Sequence, residues 1–574
     1  MKEELLELRR DVLDERDLQS HHLHKLWNKP LPERIANGRA LGRLQISTID
    51  PAQRLIHFQP PREDFAIFQE EQSIRLSQDD PEGAFLAATF VGLTPQGLTV
   101  SCPKCHDPRF SDLTGWSIDE DLVDLSTFYL NAIQDLSDLA HGREQVFPVL
   151  FGEQESLIDG EIYDEALDHL EELPDLNESQ ADAVAIALAA SPFHLIQGPP
   201  GTGKTHTLTR LVEELIKRGE RILITGFTHR SIHNALAKIR TLLPPDIPVA
   251  KISRPFPAEN LPFPTFKDFP TSKLDEHPGP YVIGATPFAL YSKRLETAHF
   301  DSAVFDETSQ LTLPAAIMAM MKSDQWFFFG DHRQLPPVTL LHAEDPVRAS
   351  VFARLVKQCR PTTLKTTYRM NEPLAAWPAA QFYFGELTSA HPHHRLALKS
   401  PPSRYSHLLD RDPSLIAIPI HAPGCRSRNP EESEAIAELT LVLLESGLPP
   451  SEIGILAPFR AQVSLIRRLL CGDRFHSFPN AWKEITVDTV ERFQGQEREV
   501  ILFSFTASDL AFLRRTGSFL LQAPRMNVAV TRARTKVILC YSDELRTFTE
   551  DLAAHHDGSA TFTSLLREAT QLPL

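Results

Sequence analysis

Residues 193–228, FHLIQGPPGTGKTHTLTRLVEELIKRGERILITGFT, decide the fold of this chain. An apolar stretch, FHLIQ, runs into a glycine-rich turn, and the turn opens a segment with Leu208, Leu211 and Leu215 at helical spacing. Gly219 marks the end of the helix, after which RILITGF has the composition of a buried strand. The order strand, loop, helix, strand is the context that a phosphate-binding loop requires. The stretch therefore predicts an α/β domain with a P-loop.

The turn fits the P-loop pattern G-x-x-x-x-G-K-[ST] at every position. Its glycines let the backbone approach phosphates, while amide donors and the helix N-terminus hold the negative charge. The two prolines after the first glycine lack an N–H, so the donors must come mainly from residues 201–205. Lys204 is predicted to reach the β- and γ-phosphates, and the Thr205 hydroxyl to bind Mg²⁺. The nucleotide-binding residues predicted in this loop are Gly198, Gly201, Thr202, Gly203, Lys204 and Thr205.

A second landmark is AVFDETSQL, residues 303–311, where an apolar strand runs straight into Asp306 and Glu307. Adjacent carboxylates repel each other, and near a core they are costly unless a cation compensates. Taken alone, the pair could be two solvated acids at the end of a strand. A nucleoside triphosphate brings Mg²⁺, which Asp306 can hold, and so supplies the missing cation. Glu307 is then available to orient and deprotonate the attacking water.

Two stretches that follow narrow the class of NTPase. FFFGDHRQLPP, residues 327–337, is a strand ending in a polar turn, with Gln334 placed to sense the γ-phosphate. LKTTYRMNEPL, residues 364–374, sets Tyr368 beside the fixed cation of Arg369. Taken alone, the tyrosine could pack in a core and the arginine could form a surface ion pair.

Two more stretches lie far downstream. EITVDTVERFQGQEREVILFSF occupies residues 484–505, and NVAVTRARTKVILCYS occupies 527–542. The second carries Arg532 and Arg534 just before an apolar strand. Each arginine also has a structural alternative, an ion pair at the surface.

These stretches, in this order, resemble the motifs of superfamily 1 (1B) helicases of the Upf-like group, which includes nonsense-decay helicases and replicative nuclease-helicases. The resemblance covers roughly residues 176–542, with too many ordered motifs for an accident. It implies that Gln180, in LNESQADAV, reads adenine and that Tyr368 stacks on the base. Outside the P-loop, it implies nucleotide contacts by Gln180, Tyr368, Gly495, Glu497 and Arg534.

The resemblance also implies roles in catalysis. It places Gln334, Arg369 and Arg532 on the γ-phosphate, and makes Arg532 the arginine finger that stabilises charge in the transition state. The implied catalytic residues are Lys204, Glu307, Gln334, Arg369 and Arg532, and the implied metal ligands are Thr205 and Asp306.

The implied architecture is an α/β fold of two tandem RecA-like P-loop domains that hold the nucleotide between them, with opening and closing coupled to stepping. We expect the first motor domain at 151–375 and the second at 376–574. The segment 244–280 holds ten prolines, so we expect a surface loop there rather than regular structure.

The N-terminal flank has two parts. A charged amphipathic pattern in residues 1–45 predicts one or two helices leading into a strand. From 42 to 115 short apolar and polar runs alternate, which is typical of a small antiparallel barrel. By its position this segment resembles the accessory barrel of the family. We therefore expect a helical stalk at 1–45 and a small β-barrel domain at 46–150.

Nucleic-acid contacts are implied by the loops FTHRSIHNAL, GATP and VDTVERF, which match the strand-gripping loops of the family. The first loop departs from the usual pattern, in which Asn commonly stands where this chain has His229. Serine and threonine at strand ends are equally often turn formers, so both interpretations stay open. The candidate contacts are Thr228, His229, Thr286 and Thr489.

Composition limits the partners. The 58 basic and 76 acidic residues give a net charge of −18, which argues against indiscriminate coating of nucleic acid or anionic membrane but leaves room for a local basic groove. We see no apolar run long enough to span a bilayer, and the first residues are too charged for a signal peptide. Six cysteines do not form a disulfide framework in 574 residues. We therefore expect a cytoplasmic protein.

The sequence thus predicts an ATP- and Mg²⁺-dependent helicase or translocase on single-stranded nucleic acid. The resemblance implies 5′-to-3′ movement, and VDTVERFQGQE favours DNA because it is closer to the nuclease-helicase branch. We recognise no nuclease, protease or methyltransferase signature, so we expect the motor alone. Two alternatives stay open: an RNA helicase of the same group, and a nucleotide-gated assembly switch that does not unwind.

Overall fold

The computed structural model describes residues 2–59, 68, 72–94, 97–253, 261–341, 350–553 and 556–574. These residues divide into two compact units. The first unit comprises residues up to Leu18, 124–368 and 386–388, and the second comprises 19–123, 369–385 and 389–574. Within the described part of the chain, no helix combines the length and the apolar composition needed to cross a bilayer.

An antiparallel sheet lies near the N-terminus, in the second unit. Helices α1 (Lys2–Trp27) and α2 (Leu31–Ala36) precede its strands, β1 (Ala40–Leu44), β2 (Ile46–Asp50), β3 (Leu55–Phe58), β4 (Ser73–Ser77), β5 (Leu86–Thr94), β6 (Gly97–Ser101) and β7 (Trp116–Glu120). The strand order is β1-β7-β4-β5-β6-β3-β2. The two edge strands, β1 and β2, are joined through Gln45 alone, so the sheet must curl until its edges meet there, as in a small barrel. The predicted N-terminal antiparallel sheet is confirmed.

The bounds of this sheet differ from the predicted segment 46–150. Its first strand starts at Ala40, within the predicted stalk, and its last ends at Glu120. Helices α3 (Ser126–Asp138) and α4 (Phe147–Phe151) follow and lie in the first unit. The reason is packing, because their apolar side chains are buried in the core of that unit rather than against the barrel strands.

The first unit is built on a parallel sheet. Its further strands are β8 (Leu157–Ile158), β9 (Ala190–Ser191), β10 (Phe193–Gln197), β11 (Arg221–Gly226), β12 (Val249–Ile252), β13 (Thr265–Phe266), β14 (Tyr281–Gly284), β15 (Phe300–Asp306), β16 (Ser323–Gly330), β17 (Thr362–Thr363) and β18 (Thr366–Thr367), which pairs with β19 (Thr388–Ser389). Its further helices are α5 (Gly160–Glu171), α6 (Glu178–Ala189), α7 (Lys204–Lys217), α8 (His229–Leu242), α9 (Phe269–Ser272), α10 (Pro287–Leu290), α11 (Leu313–Met320) and α12 (Val351–Leu355).

Eight of these strands form the main sheet in the order β13-β12-β14-β11-β15-β16-β10-β17. The pairing is parallel, with Gln197 opposite Gly330 and Gly226 opposite Asp306. The segments that follow β10, β15 and β16 therefore meet at the carboxyl edge of the sheet, where open α/β sheets bind ligands. This edge receives the P-loop, the acid pair and the turn that contains Gln334.

The expectation of a surface loop over 244–280 is wrong for part of that segment. Strands β12 and β13 lie within it, and β12 is buried along its whole length between β13 and β14. The prolines flank these short strands, so none of them removes a donor from inside a ladder. Residues 254–260 lie outside the described residues.

The second unit holds a second parallel sheet. Its helices are α13 (Glu372–Phe382), α14 (Ser406–Leu409), α15 (Pro430–Glu445), α16 (Arg460–Leu470), α17 (Ala481–Glu484), α18 (Val490–Phe493), α19 (Leu510–Leu520), α20 (Ala523–Val530), α21 (Asp543–Leu552) and α22 (Asp557–Glu568). Its strands are β20 (Leu415–Pro419), β21 (Ile453–Ala457), β22 (Thr486–Thr489), β23 (Arg498–Ser504), β24 (Ala533–Tyr541) and β25 (Thr570–Gln571), in the order β22-β21-β23-β24-β20-β25. The predicted α/β fold with two RecA-like sheets is confirmed.

Candidate active site

The P-loop joins β10 to α7, and its glycines are needed for two physical reasons. Gly201 and Gly203 have φ of 76° and 79°, in the left-handed region that favours glycine. A Cβ at Gly198 would lie 2.9 Å from the Cβ of Lys204. The amide of Gly198 donates to the carbonyl of Gly330 at 2.9 Å, which ties the loop to the end of β16.

Gln180 braces this loop from helix α6. Its Nε2 donates to the carbonyl of Thr202 at 3.1 Å, and its Oε1 accepts the amide of Asn177 at 3.1 Å. Asn177 in turn accepts the Gln180 amide at 3.0 Å, which completes a capping box at the start of α6. Gln180 is therefore a positioning residue for the P-loop, and its predicted contact with adenine stays a prediction.

We expect Gly203→Ala to weaken ATP binding by about tenfold. The new Cβ would meet Gln180 Nε2 at 2.5 Å, and the left-handed backbone there costs a non-glycine residue about 1–2 kcal/mol. Gly219→Ala is the matched control, because Gly219 also has a positive φ, 87°, yet a Cβ there meets nothing within 4 Å. Titration of a fluorescent ATP analogue and thermal unfolding of both variants separate the two effects. Equal ATP affinity in the two variants would contradict a role for the contact between Gly203 and Gln180.

The acid pair meets its cation inside the protein. Lys204 Nζ lies 2.7 Å from Glu307 Oε1 and 3.6 Å from Asp306 Oδ1. Burial disfavours the charge of Lys204, but the two carboxylates outweigh it and raise the pKa of the ammonium. Burial also raises the pKa of Asp306, against the attraction of Lys204 and with the repulsion of Glu307. The sequence analysis assigned the cation that compensates the two carboxylates to Mg²⁺. In the structure, the ammonium of Lys204 compensates them.

Glu307 has an unusual backbone conformation. Its φ of 54° and ψ of 40° are left-handed, which is uncommon for a residue with a side chain. Its amide donates to Asp306 Oδ1 at 2.9 Å, and the next residue, Thr308, donates its hydroxyl to the carbonyl of Phe329 at 2.7 Å. These bonds hold Glu307 at the start of a turn where its side chain reaches Lys204. Strain of this kind is concentrated at functional sites.

Gln334 is oriented by Asp331, a residue that the sequence analysis did not single out. Asp331 is 1% exposed and accepts Gln334 Nε2 at 2.8 Å and Gln197 Nε2 at 3.0 Å. Its carboxylate thus joins the end of β10 to the turn after β16. The sequence contained a pattern that could have identified Asp331, because this acid follows an apolar strand just as Glu307 does.

Tyr368 lies beside the P-loop. Its amide donates to the carbonyl of Gly201 at 2.8 Å, and Asn177 Nδ2 donates to its hydroxyl at 2.8 Å. The residue is 45% exposed, so its ring is available for stacking on a base. Thr205, half-buried in the first turn of α7, and the P-loop amides complete the predicted phosphate and metal residues of this unit.

In the second unit, several predicted residues meet at the amino ends of β23 and β24. Arg369 donates to Glu497 Oε2 at 2.7 Å and to the carbonyl of Thr531 at 3.0 Å. Arg534 donates to the other oxygen of Glu497 at 3.3 Å. Although burial favours its neutral form, these two guanidinium groups lower the pKa of Glu497.

Arg534 also pairs with two further carboxylates, at 2.9 Å with Glu499 and in a close contact with Glu452. Burial opposes its charge, but the three carboxylates raise the pKa of Arg534. The structure thus gives Arg534 a role in positioning Glu497, and its contact with nucleotide stays a prediction. Glu452 and Glu499 were missed because each is one acid among many in the sequence.

Arg532 lies between helix α20 and strand β24, and it is 2% exposed. Its Nε donates to the carbonyl of Val528 at 3.1 Å. Gly495 has a φ of 80° and precedes β23. Both therefore lie at the same sheet edge as Glu497, because β23 and β24 are adjacent and parallel.

The predicted nucleic-acid residues lie at the carboxyl ends of their strands, which in the first sheet is the edge that also holds the P-loop and in the second is the edge opposite Glu497. Thr228 and Thr286 follow β11 and β14 in the first sheet, and Thr489 ends β22 in the second. The Thr228 hydroxyl accepts the amide of Ser231 at 3.1 Å and so caps helix α8, as a turn-forming residue would. The other two threonines make no side-chain cap.

His229 is the fourth predicted nucleic-acid residue. Burial lowers its pKa to about 4, with smaller contributions from the charges of Lys251 and of His233 in the same helix.

One family model described as "AAA domain" matches residues 175–256, and a second model with the same description matches residues 347–543. The "DNA replication ATP-dependent helicase/nuclease dna2" of Schizosaccharomyces pombe is 29% identical to this chain, over 63% of this chain and 27% of that protein. The corresponding "DNA2" of Homo sapiens is 28% identical, over 64% and 37%.

The "DNA-binding protein SMUBP-2" of Mesocricetus auratus is 26% identical, over 94% of this chain and 61% of that protein. This chain therefore spans less than two thirds of the length of each of these relatives. The two AAA domains are those typical of Upf-like helicases, and they contain the P-loop and the arginine-rich stretch at 527–534. The resemblance to Upf-like helicases of superfamily 1 is therefore confirmed.

Proposed function

We propose that this chain is an ATP-dependent helicase or translocase that acts on single-stranded nucleic acid and prefers DNA. The observation that carries the proposal is the ammonium of Lys204, held against Asp306 and Glu307 at the end of a P-loop. This arrangement places a cation for the β- and γ-phosphates next to a carboxylate that can accept a proton from water. Similarity to helicases of the Upf-like group supports coupling of this chemistry to movement on nucleic acid.

Hydrolysis is proposed to proceed as follows. The amides of residues 201–205 and the N-terminus of α7 bind the phosphates, which are strong acceptors. Lys204 turns its charge toward the phosphates and so releases Glu307 from the ion pair. Glu307, held by its left-handed backbone, orients the attacking water and takes its proton. Gln334, fixed by Asp331, contacts the γ-phosphate and the water.

The residues present also fit the Mg²⁺ that accompanies ATP. Such an ion is usually held by one or two protein oxygens together with phosphates and waters. Asp306 offers a buried carboxylate within 3.6 Å of the P-loop lysine, and Thr205 offers a hydroxyl one residue further on. We propose these two side chains as its protein ligands. When bound with ATP, the ion neutralises charge on the phosphates.

The preference for DNA is supported by the names of the relatives, which are described as DNA replication helicase/nucleases and as a DNA-binding protein. Two alternatives remain, an RNA helicase and a nucleotide-gated switch, and one experiment distinguishes them from a DNA motor. ATPase rates measured with single-stranded DNA, with single-stranded RNA and with neither separate a DNA motor, an RNA motor and a protein-gated switch, because a switch should respond to neither nucleic acid.

We expect a partial duplex with a 5′ single-stranded tail to be unwound with ATP, and a duplex with only a 3′ tail to remain intact. The motivating observation is the ordered set of motifs from Gln180 to Arg532, which resembles the 5′-to-3′ branch. Strand separation is followed by gel electrophoresis or fluorescence release. Binding should weaken steeply with salt despite the net charge of −18, because phosphate contacts release counterions.

Preferential unwinding of the 3′-tailed substrate would show that the polarity is wrong while leaving the motor intact. Failure on both substrates, with no stimulation of ATPase by DNA or RNA, would instead favour the nucleotide-gated switch. A P-loop variant, Lys204→Ala, is the negative control, since it removes the ammonium needed for the phosphates.

A further inference from the structure

The carboxyl edge of the second parallel sheet collects aromatic and cationic side chains. Strands β22, β21 and β23 are neighbours and run parallel, so the segments that follow them lie at one edge. These segments are Phe459 with Arg460 after β21, helix α18 after β22, and residues 505–520 with helix α19 after β23. The predicted ATP residues of this unit lie at the opposite edge, so the ATP site does not account for this cluster.

Three phenylalanines at this edge form a cluster, which we call the phenylalanine cluster: Phe459, Phe512 and Phe519. The ring centroid of Phe459 lies 5.6 Å from that of Phe512 and 6.1 Å from that of Phe519. Phe519 remains 40% exposed, whereas the other two are half-buried. An exposed ring that packs against Phe459, which itself packs against Phe512, is a surface on which a flat group can stack.

Phe519 is held firmly in place. The guanidinium of Arg525 lies 3.8 Å from the centre of its ring, a cation–π distance. Arg525 is 2% exposed and is itself fixed by Glu491, to which its Nε donates at 3.0 Å. A ring that is already ordered loses little conformational entropy when a ligand stacks on it.

Cations surround the cluster in a protein of net charge −18. Arg460, next to Phe459, shares the carboxylate of Glu120 with Arg39, which donates to it at 2.7 Å. One carboxylate therefore faces two guanidinium groups. Burial, then the like charge of Arg460, lower the pKa of Arg492 to about 10, so it too is positively charged at neutral pH.

Helix α19 adds an arginine on the same stripe as the rings. Phe512 and Phe519 are seven residues apart, and Arg515 stands between them at spacings of three and four, so all three share one helix face. Arg514 points to a different side because successive helical residues are rotated by about 100°. Both arginines are exposed. Aromatic rings flanked by arginines are the arrangement that single-stranded nucleic acids bind.

We propose that Phe519, supported by Phe459 and Phe512, stacks on a base of single-stranded nucleic acid, and that Arg515 contacts an adjacent phosphate. This inference rests on the proposed function and deepens it by naming a base contact on the second unit. Thr489, the predicted nucleic-acid contact at the end of β22, lies at the same sheet edge. Stacking of this kind ignores base identity, so the contact suits a motor that moves along any sequence.

The stacking step is tested with Phe519→Leu, which keeps an apolar side chain and removes the ring. We expect this variant to bind a fluorescent oligothymidine about tenfold more weakly, as measured by anisotropy. The sharper comparison uses an abasic strand of the same length. The unaltered chain should bind that strand more weakly than oligothymidine, and Phe519→Leu should cause no further loss. Phe384→Leu is the matched control, because Phe384 is 85% exposed in the same unit but follows helix α13.

The phosphate contact is tested with Arg515→Gln against its neighbour Arg514→Gln. We expect Arg515→Gln to reduce the slope of log K against log salt by about 0.7, the value for one lost phosphate contact on a single strand. Arg514→Gln should leave the slope unchanged. Phe519→Leu should lower affinity at every salt concentration without changing the slope. Thermal unfolding midpoints equal to that of the unaltered chain would exclude misfolding, and all these side chains are exposed.

The outcomes separate this inference from the proposed function. If the unaltered chain binds single-stranded DNA and its ATPase is stimulated, yet Phe519→Leu and Arg515→Gln bind equally well, the inference is wrong and the helicase function stands. The exposed ring would then be a docking surface for a protein. An equal loss on abasic and normal strands would also overturn stacking. If the unaltered chain binds neither DNA nor RNA, both the inference and the proposed function fail.

Discussion

Glu307→Gln is expected to bind ATP but to hydrolyse it at least about a hundredfold more slowly than the unaltered chain. The amide has nearly the volume of the carboxylate, so the turn after β15 can keep its shape. The P-loop, Lys204 and Asp306 remain, so the phosphates are still held. What is lost is the group that accepts a proton from water. Single-turnover hydrolysis of radiolabelled ATP measures the chemical step, and a fluorescent ATP analogue measures binding.

The ion pair of 2.7 Å with Lys204 makes the binding measurement informative. In the unaltered chain, Lys204 must leave Glu307 to reach the phosphates, whereas in the variant this attraction is weaker. ATP affinity should therefore be equal to that of the unaltered chain or higher. Glu296→Gln, at an exposed position of the same unit, is the control for a simple loss of negative charge. Turnover near that of the unaltered chain would show that Glu307 is not the general base.

The sequence was sufficient where a motif is contiguous and its chemistry is local. The P-loop, the strand before it and helix α7 follow one another in the chain, and the loop glycines are required by backbone geometry. The acid pair was equally visible, because two charged residues interrupt an apolar strand. The ion pair with Lys204 was not visible in the sequence. Lys204 and Glu307 are separated by more than a hundred residues, and the order of the parallel strands brings them together.

Gln180 shows why the role of a residue is harder to predict than its presence. The resemblance assigns its amide to adenine, which stays a prediction, and the structure shows a second role, because both ends of that amide bond within the protein, at Thr202 and at Asn177. A side-chain amide can satisfy several partners, and tertiary packing decides which are nearest. Asp331 is the opposite case. It was present in the quoted stretch, yet its two glutamine partners come from different strand ends.

The bounds of the barrel sheet differ from the expected segment for a related reason. Alternation of apolar and polar residues from 42 to 115 indicated the strands that the structure has between Ala40 and Glu120, but it cannot say against which unit the next helices pack. Helices α3 and α4 follow the barrel in sequence, while their apolar faces are buried in the core of the first unit. Long-range contacts decide to which domain a helix belongs. The apolar pattern of a single helix does not show which domain it packs against.

Arg532→Ala is expected to reduce ATP hydrolysis by about a thousandfold or more while ATP binding changes little. An arginine that stabilises the charge of a phosphoryl-transfer transition state contributes at least this factor. The P-loop, which we propose to bind the phosphates, belongs to the first unit, whereas Arg532 belongs to the second. Selective loss of hydrolysis would therefore support the prediction that both units serve one reaction. Single-turnover hydrolysis and titration of an ATP analogue provide the two measurements.

Arg532 is 2% exposed and donates to the carbonyl of Val528, so its removal could also loosen the junction of α20 and β24. Arg532→Lys addresses this, because lysine keeps the charge and most of the volume but lacks the planar fork of donors. We expect it to restore the unfolding midpoint of the unaltered chain while hydrolysis stays well below normal. If instead Arg532→Lys recovered both stability and hydrolysis in parallel, the effect of Arg532→Ala would be structural. Hydrolysis by Arg532→Ala at the rate of the unaltered chain would exclude Arg532 as the arginine finger.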